Sequence, residues 1–88
     1  MRYMVVERYL DGPGPVYERA ARSGRMLPTG LEYVDSWVDA RSLDRCFQLM
    51  DTDDPALLDE WTARWRDLAE FEIVPVVDSA EAAARARA

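Results

Sequence analysis

The sequence predicts an α+β fold, in which a four-stranded antiparallel sheet carries two helices on one face. Four stretches have the period-two alternation or the β-branched composition of strands. Two stretches between them begin near a proline and repeat apolar residues at helical spacing. The resulting order is strand, helix, strand, strand, helix, strand. Right-handed crossovers fold such a chain into a ferredoxin-like plait.

The first strand and the first helix are separated by a turn rich in glycine and proline. Residues 2–9 alternate and so predict a strand, which the sequence DGPGP at residues 11–15 ends. Pro15 suits the first turn of a helix, because its missing N–H would have no partner there. We predict the helix over residues 16–23, with Gly24 as a natural residue to end it.

The next two strands form a hairpin. Residues 31–40 alternate strongly, and residues 45–50 follow after the short connection RSLD. Two strands with so short a link pair antiparallel. In the order of the plait, the first and third strands are central neighbours and the second strand flanks the third.

The second helix is the best marked in the chain. Asp54 is its expected N-cap residue and Pro55 its first helical residue. Large apolar residues follow at spacings of three and four: Leu57, Leu58, Trp61, Trp65 and Leu68. We interpret the two tryptophans as core residues rather than as a ligand platform. Residues 71–77 form the fourth strand, which Pro75 places at a sheet edge or at an unpaired position.

A C-terminal tail follows the domain formed by residues 1–78. Asp78 and Glu81 have the spacing of a capping box, and two arginines near the end suit a helix C-terminus. Residues 79–88 therefore predict a short helix, which either docks on the domain or frays.

Alternation divides the sheet into a face covered by helices and an open face. We expect six apolar side chains under the helices: Met4, Val6, Val34, Val38, Phe47 and Leu49. The open face then carries the residues of opposite parity: Tyr3, Val5, Glu7, Tyr33, Asp35, Trp37, Cys46, Gln48 and Met50. That face is too apolar to stay in water. A second copy that covers it would give a homodimer of the dimeric α/β-barrel type.

Composition argues against several classes of partner. The net charge is −6, whereas a protein that binds nucleic acid usually carries an excess of Lys and Arg. No apolar run approaches the ~20 residues of a membrane span. Charged residues interrupt the N-terminal segment too early for a signal peptide. We expect a cytoplasmic protein that binds neither nucleic acid nor a membrane.

Missing residue types exclude several chemistries. The chain has no His and no Lys, so it cannot form a Ser-His nucleophile, a His-ligated zinc site or a lysine Schiff base. Cys46 is the single cysteine, and its place in a strand favours a buried, inert thiol. Neither a phosphate loop nor a dinucleotide fingerprint is present, and we expect no cofactor.

A candidate site lies on the predicted open face. Glu7, Asp35 and Gln48 would approach one another there. A carboxyl group in an apolar chamber is harder to ionise, which suits a general acid or base, so Glu7 and Asp35 are the candidate catalytic residues. The candidate ligand-binding residues around them are Tyr33, Trp37, Cys46, Gln48 and Arg41.

Two functions remain open for this face. In the first, it binds or converts a small, partly apolar molecule, and Arg41 or Arg25 binds a substrate carboxylate. In the second, Glu7 and Asp35 pair with Arg41, Arg45 or Arg8, in this subunit or its partner, and set the register of a dimer that has no catalytic role. A dimer cavity of about 300 Å³ or more would favour the first function.

Four strings carry a resemblance that covers almost the whole chain: MRYMVVE (1–7), GRMLPTGLEYVDSWV (24–38), RCFQLM (45–50) and FEIVPVV (71–77). With them the chain resembles the small bacterial family known as domain of unknown function three-three-zero-three. The resemblance implies a dimeric fold like an α/β barrel. It implies no activity.

Overall fold

Four strands and three helices alternate along residues 1–88, all of which the computed structural model describes. The elements are β1 (Arg2–Tyr9), α1 (Pro13–Ser23), β2 (Glu32–Val38), β3 (Arg45–Asp51), α2 (Ala56–Ala63), β4 (Ala69–Val76) and α3 (Ser79–Arg87). The predicted order of elements is confirmed, including the short helix at the end of the chain.

The strands form one antiparallel sheet in the order β2-β3-β1-β4. This order matches the ferredoxin-like plait, with β1 and β3 in the centre as predicted. Pro75 lies on the edge strand β4, opposite Tyr3. An edge position suits proline because the residue has no N–H to donate to a further strand.

Helix α1 begins earlier than predicted. Pro13 and Pro15 both lie in its first turn, where a missing N–H is tolerated. The helix ends at Gly24, which has a φ of 65° and donates its backbone N–H to the carbonyl of Ala20. Val16 is the residue of α1 that is buried against the sheet.

Helix α2 is shorter than its apolar stripe. It ends at Ala63, and turns that continue to Leu68 carry the remainder of the stripe. The helix begins one residue later than predicted, because Pro55 and not Asp54 is at its N-cap and Ala56 is its first residue. The Asp54 carboxylate accepts a hydrogen bond from the Ala56 backbone N–H (3.0 Å) just before the helix. Trp61 and Trp65 are both buried, which confirms them as core residues.

The faces of β1 and β3 are the reverse of those predicted. The residues that lie under the helices are Val5, Glu7, Tyr9, Cys46, Gln48 and Met50. They pack with Val16, Leu58 and the tryptophans, whereas Met4, Val6, Phe47 and Leu49 lie on the open face. The prediction was wrong because both parities of these strands are rich in apolar residues. Alternation gave the two sets correctly but could not decide which set the helices cover.

Strand β2 contains a β-bulge that the sequence did not predict. Tyr33 pairs with Met50 and Asp35 pairs with Leu49, so Val34 is an extra residue between two pairs. Tyr33 therefore lies on the helix-covered face, whereas Asp35 and Trp37 lie on the open face. The expectation that these three side chains share one face was wrong, because the bulge reverses the alternation.

Helix α3 begins with a cap of the predicted kind. The Asp78 carboxylate accepts a hydrogen bond from the Glu81 backbone N–H (2.8 Å). None of its residues is buried. The three helices have 8 to 11 residues, too few to span a membrane.

Candidate functional site

A cavity of about 190 Å³ lies between the sheet and the two helices α1 and α2. Its apolar and aromatic walls come from Tyr9, Val16, Tyr17, Ala20, Val38, Trp61 and Trp65. Its polar groups come from Glu7, Arg25, Ser36, Cys46 and Gln48. The cavity is therefore inside one chain, under the helices, and not on the open face where the sequence placed the site.

Glu7 is the buried carboxyl group of this cavity, with 5 % of its surface exposed. It lies on the central strand β1, opposite Cys46 on one side and Phe71 on the other. The side-chain amide of Gln48, its diagonal neighbour on β3, donates a hydrogen bond to Glu7 Oε2. No nitrogen donor reaches Oε1, and the Cys46 thiol is the other hydrogen-bonding neighbour of the carboxyl group. Because Glu7 lines the cavity and no fully buried side-chain polar atom lacks a partner, Oε1 faces the cavity.

Burial raises the pKa of Glu7 from 4.5 to about 7. The hydrogen bond from Gln48, the positive charge of Arg25 and the Cys46 thiol lower the pKa, but together they do not offset desolvation. A carboxyl group with a pKa near 7 is present in both protonation states at neutral pH. This is the property that a general acid or base needs.

Cys46 and Tyr9 are neutral neighbours of Glu7. Burial, together with the charge of Glu7, raises the pKa of the Cys46 thiol from 9.0 to about 11. Burial likewise raises the pKa of Tyr9. Both groups therefore stay protonated at neutral pH, so Glu7 is the group beside the cavity that changes charge there.

Arg25 reaches the mouth of the cavity from the loop that follows α1. Its Nε donates a hydrogen bond to Gln48 Oε1 (3.1 Å), and its guanidinium lies 3.6 Å from the centre of the Tyr33 ring. Gln48 thus accepts from Arg25 with its oxygen and donates to Glu7 with its nitrogen. These two contacts fix the orientation of the amide.

The backbone of Arg25 is held by the two tryptophans of the apolar stripe. The indole N–H groups of Trp61 and Trp65 both donate to the Arg25 carbonyl, at 2.9 and 3.1 Å. Trp61 lies in α2 and Trp65 in the turns that follow it, and both indoles face the same carbonyl. The next residue, Met26, has a φ of 57°, a conformation that a non-glycine residue rarely adopts unless its surroundings impose it.

The structure brings together three of the predicted site residues. Glu7, Cys46 and Gln48 line the cavity, and Tyr33 stacks on Arg25 beside it. The sequence identified these side chains but not the face on which they meet.

The other predicted site residues lie elsewhere. Asp35 is on the opposite face from Glu7, so the expected pair of carboxylates is not formed. Trp37 is also on the open face, with 52 % of its surface exposed. Arg41 is in the exposed β2–β3 loop, and its Nε lies 3.6 Å from the Asp39 carboxylate. None of the three lines the cavity.

The predicted ion pairs of Glu7 and Asp35 with arginine are not formed within the chain either. Arg8 pairs with Glu70 and Arg41 with Asp39, while Arg45 lies over the Phe47 ring. The Asp35 carboxylate instead accepts a hydrogen bond from the Ser36 backbone N–H (2.8 Å).

Two features of the site were missed from the sequence. The first is the contact of Arg25 with Gln48, which depends on a fold that places the loop after α1 over β3. The second is the pair of hydrogen bonds from the indole N–H groups, because an apolar stripe does not show where the polar atoms of its tryptophans point. The signal for them was two tryptophans four residues apart, since a buried indole N–H needs an acceptor.

No group of three or more His, Cys, Asp or Glu side chains is placed to hold a metal ion. Comparison with curated proteins and with solved structures gives no match to this chain. A family model does match, and it covers residues 1–88. The chain therefore belongs to the family described as Domain of unknown function (DUF3303).

Proposed function

We propose that the chain binds a small, partly apolar molecule in the cavity under the helices, and that Glu7 exchanges a proton with it. The observation that carries this proposal is a buried carboxyl group with one oxygen held by Gln48 and the other open to the cavity. The pKa of about 7 supports it, because Glu7 can both take and return a proton at neutral pH.

The volume of the cavity limits the size of the ligand. Drug-sized ligands occupy pockets of about 300–1,000 Å³. The cavity of about 190 Å³ is smaller and corresponds to roughly six water molecules at about 30 Å³ each. The ligand is a compact molecule whose apolar part lies against the aromatic walls.

The proton transfer needs no further reactant. The Glu7 carboxylate takes a proton from a C–H next to a carbonyl group of the ligand, and the electron pair of that bond moves to the carbonyl oxygen. The neutral carboxyl group either keeps this proton or exchanges it with water, and then returns a proton to the same carbon or to another one. The net result is exchange or isomerisation.

Glu7→Gln tests this proposal, with Glu72→Gln as the matched control on the open face. A library of small carbonyl compounds in D₂O is followed by proton NMR. We expect the wild-type protein and the control to exchange deuterium into a C–H of a bound compound, and Glu7→Gln to bind it without exchange. Absence of any binding in the cavity, or equal exchange by Glu7→Gln, would contradict the proposal.

The open face favours a second function, as the interface of a homodimer. Its apolar side chains include Met4, Val6, Trp37, Phe47, Leu49 and Val74. An apolar face of this kind on a small domain marks a surface that another protein covers. A second copy offers the same apolar side chains, so it is the occupant that we propose. This interaction role is also the alternative if the cavity binds nothing.

Sedimentation equilibrium tests the dimer. We expect the wild-type chain to have twice its mass of 10.1 kDa and Leu49→Glu to be monomeric, because the substitution puts a charge in the centre of the face. Leu10→Glu, at an exposed residue beyond the end of β1, is the control and stays dimeric. A monomeric wild-type chain, or a dimeric Leu49→Glu, would refute the interface.

We also propose that the protein works in the cytoplasm. Its one cysteine, Cys46, is buried and forms no disulfide, as is usual for proteins of a reducing compartment.

A further inference from the structure

We infer that the ligand is a small carboxylate, whose anionic group is bound by the guanidinium of Arg25 at the mouth of the cavity. This inference rests on the proposed function, since it assigns a substrate class to the same cavity.

Arg25 is the one basic residue that lines the cavity, and it forms no ion pair. Six of the eleven arginines do form one: Arg2, Arg8, Arg19, Arg41, Arg64 and Arg85. Although the chain has 17 acidic residues, none of them forms an ion pair with the guanidinium at the cavity mouth. Its Nε is engaged by Gln48, but its two terminal nitrogens make no hydrogen bond with the protein.

The position of Arg25 is set before any ligand binds. Tyr33 supports one side of the guanidinium, Gln48 accepts from its Nε, and Trp61 and Trp65 hold its backbone carbonyl. A guanidinium held in this way loses little conformational freedom when it binds an anion. Its terminal N–H groups suit the planar geometry of a carboxylate.

The charge of the cavity favours a monoanion over a phosphate. Arg25 is the one cationic group of the cavity, and Glu7 carries a negative charge when it is ionised. A dianion would face this charge with a single guanidinium to offset it. The aromatic walls around Trp61 and Trp65 suit an apolar body attached to the carboxylate.

The spacing of Arg25 and Glu7 limits where the ligand reacts. Two hydrogen bonds and one amide width join Arg25 Nε to Glu7 Oε2, so these atoms are no more than about 8 Å apart. A carboxylate bound to Arg25 then brings the first few carbons of its chain beside Glu7. The substrate class is therefore a small oxo acid, in which those carbons carry acidic hydrogens.

The experiment compares charged and neutral probes of the same shape. Butanoate and benzoate are titrated against butanamide and benzamide, and binding is followed by the indole N–H signals of Trp61 and Trp65 in NMR. We expect the carboxylates to bind the wild-type protein at least tenfold more tightly than the amides. Arg25→Gln should remove that preference, so that a carboxylate and its amide bind the variant alike.

Two controls separate charge from folding. Arg41→Gln removes an exposed arginine far from the cavity and should change nothing. Arg25→Lys keeps the charge but not the planar fork, and should retain part of the preference. The indole signals also report whether Arg25→Gln is folded, since the tryptophans bind the backbone carbonyl that the substitution keeps.

The outcomes distinguish this inference from the proposed function. If amides bind the cavity as tightly as carboxylates, or Arg25→Gln keeps the preference, the inference is wrong while the cavity remains a binding site. If no probe binds and no carbonyl compound exchanges deuterium, the proposed function fails and the inference fails with it.

Discussion

The side-chain amide of Gln48 donates a hydrogen bond to Glu7 across the two central strands, under the helices. A carboxyl group with 5 % of its surface exposed needs polar partners in an apolar core, and Gln48 lowers its pKa more than Arg25 or Cys46 does. The contact holds Oε2 and leaves Oε1 to the cavity. One glutamine therefore makes a buried acid tolerable to the fold and available to a ligand.

Glu7 makes the stability of the protein depend on pH. Its pKa is about 7 in the folded chain and 4.5 in the unfolded one, so the folded state binds more protons between these values. The contribution of Glu7 to the free energy of unfolding is therefore highest at or below pH 4.5. It falls as the pH rises through 7. The difference between these two pKa values corresponds to about 3 kcal/mol in the free energy of unfolding.

Urea unfolding at pH 5, 6, 7 and 8 measures this dependence. We expect the wild-type protein to lose stability relative to Glu7→Gln across the series, whereas Glu72→Gln follows the wild type. Asp39 and Asp67 do not disturb the comparison, because their pKa values are lowered and they titrate below this range. A constant difference between wild type and Glu7→Gln would contradict the prediction.

Gln48→Leu should raise the pKa of Glu7 above its wild-type value of about 7. The substitution removes the hydrogen bond that opposes the effect of desolvation on the pKa. It brings the charge of Arg25 no closer to Glu7. We expect a loss of about 1–3 kcal/mol in the free energy of unfolding, larger at pH 8 than at pH 5. Carbon NMR of the Glu7 carboxyl group measures the pKa.

Ser36→Ala is the matched control for that substitution. Ser36 also lines the cavity, but its hydroxyl contacts the Tyr33 hydroxyl (2.7 Å) and not Glu7. The pKa of Glu7 should stay near 7 in this variant. If Gln48→Leu also leaves it there, the hydrogen bond has no part in setting it.

Cys46 should be inert toward thiol reagents in the folded protein. It is buried, and its pKa of about 11 keeps the thiolate scarce at pH 8. A disulfide reagent that releases a coloured thiol gives a direct measurement, since this is the single cysteine. We expect negligible reaction in buffer and stoichiometric reaction in urea. Complete reaction of the folded chain within minutes would show that the cavity admits the reagent to Cys46.

The sequence predicted the topology because each element has a local signal. Proline is the first residue of α1 and the N-cap residue of α2, glycine ends α1, and Pro75 marks an edge strand. These signals act over a few residues and do not depend on the rest of the fold.

The faces of the sheet could not be predicted in the same way. A charged residue such as Glu7 favours assignment to an open face, yet Gln48 and the raised pKa make its burial tolerable. The sequence of β2 alternates without a break, but the bulge at Val34 inserts an extra residue into the strand. The side chains on its two sides therefore do not share the face that the alternation predicts. Both errors arise from contacts between residues that are distant in the sequence. The site was therefore predicted on the open face, whereas the cavity lies on the face that the helices cover.

Trp61 and Trp65 should show strong coupling in a double-mutant cycle. Each indole donates to the Arg25 carbonyl, so either single change to Phe leaves this acceptor with one donor. The double variant leaves it with none, and an unsatisfied buried acceptor costs about 1–3 kcal/mol. We expect Trp61→Phe/Trp65→Phe to lose more stability in urea unfolding than the sum of the single changes. The cycle cancels the packing that each ring loses on its own. Hydrogen exchange at the Arg25 and Met26 amides should accelerate most in the double variant. Additive losses would mean that the shared carbonyl does not couple the two tryptophans.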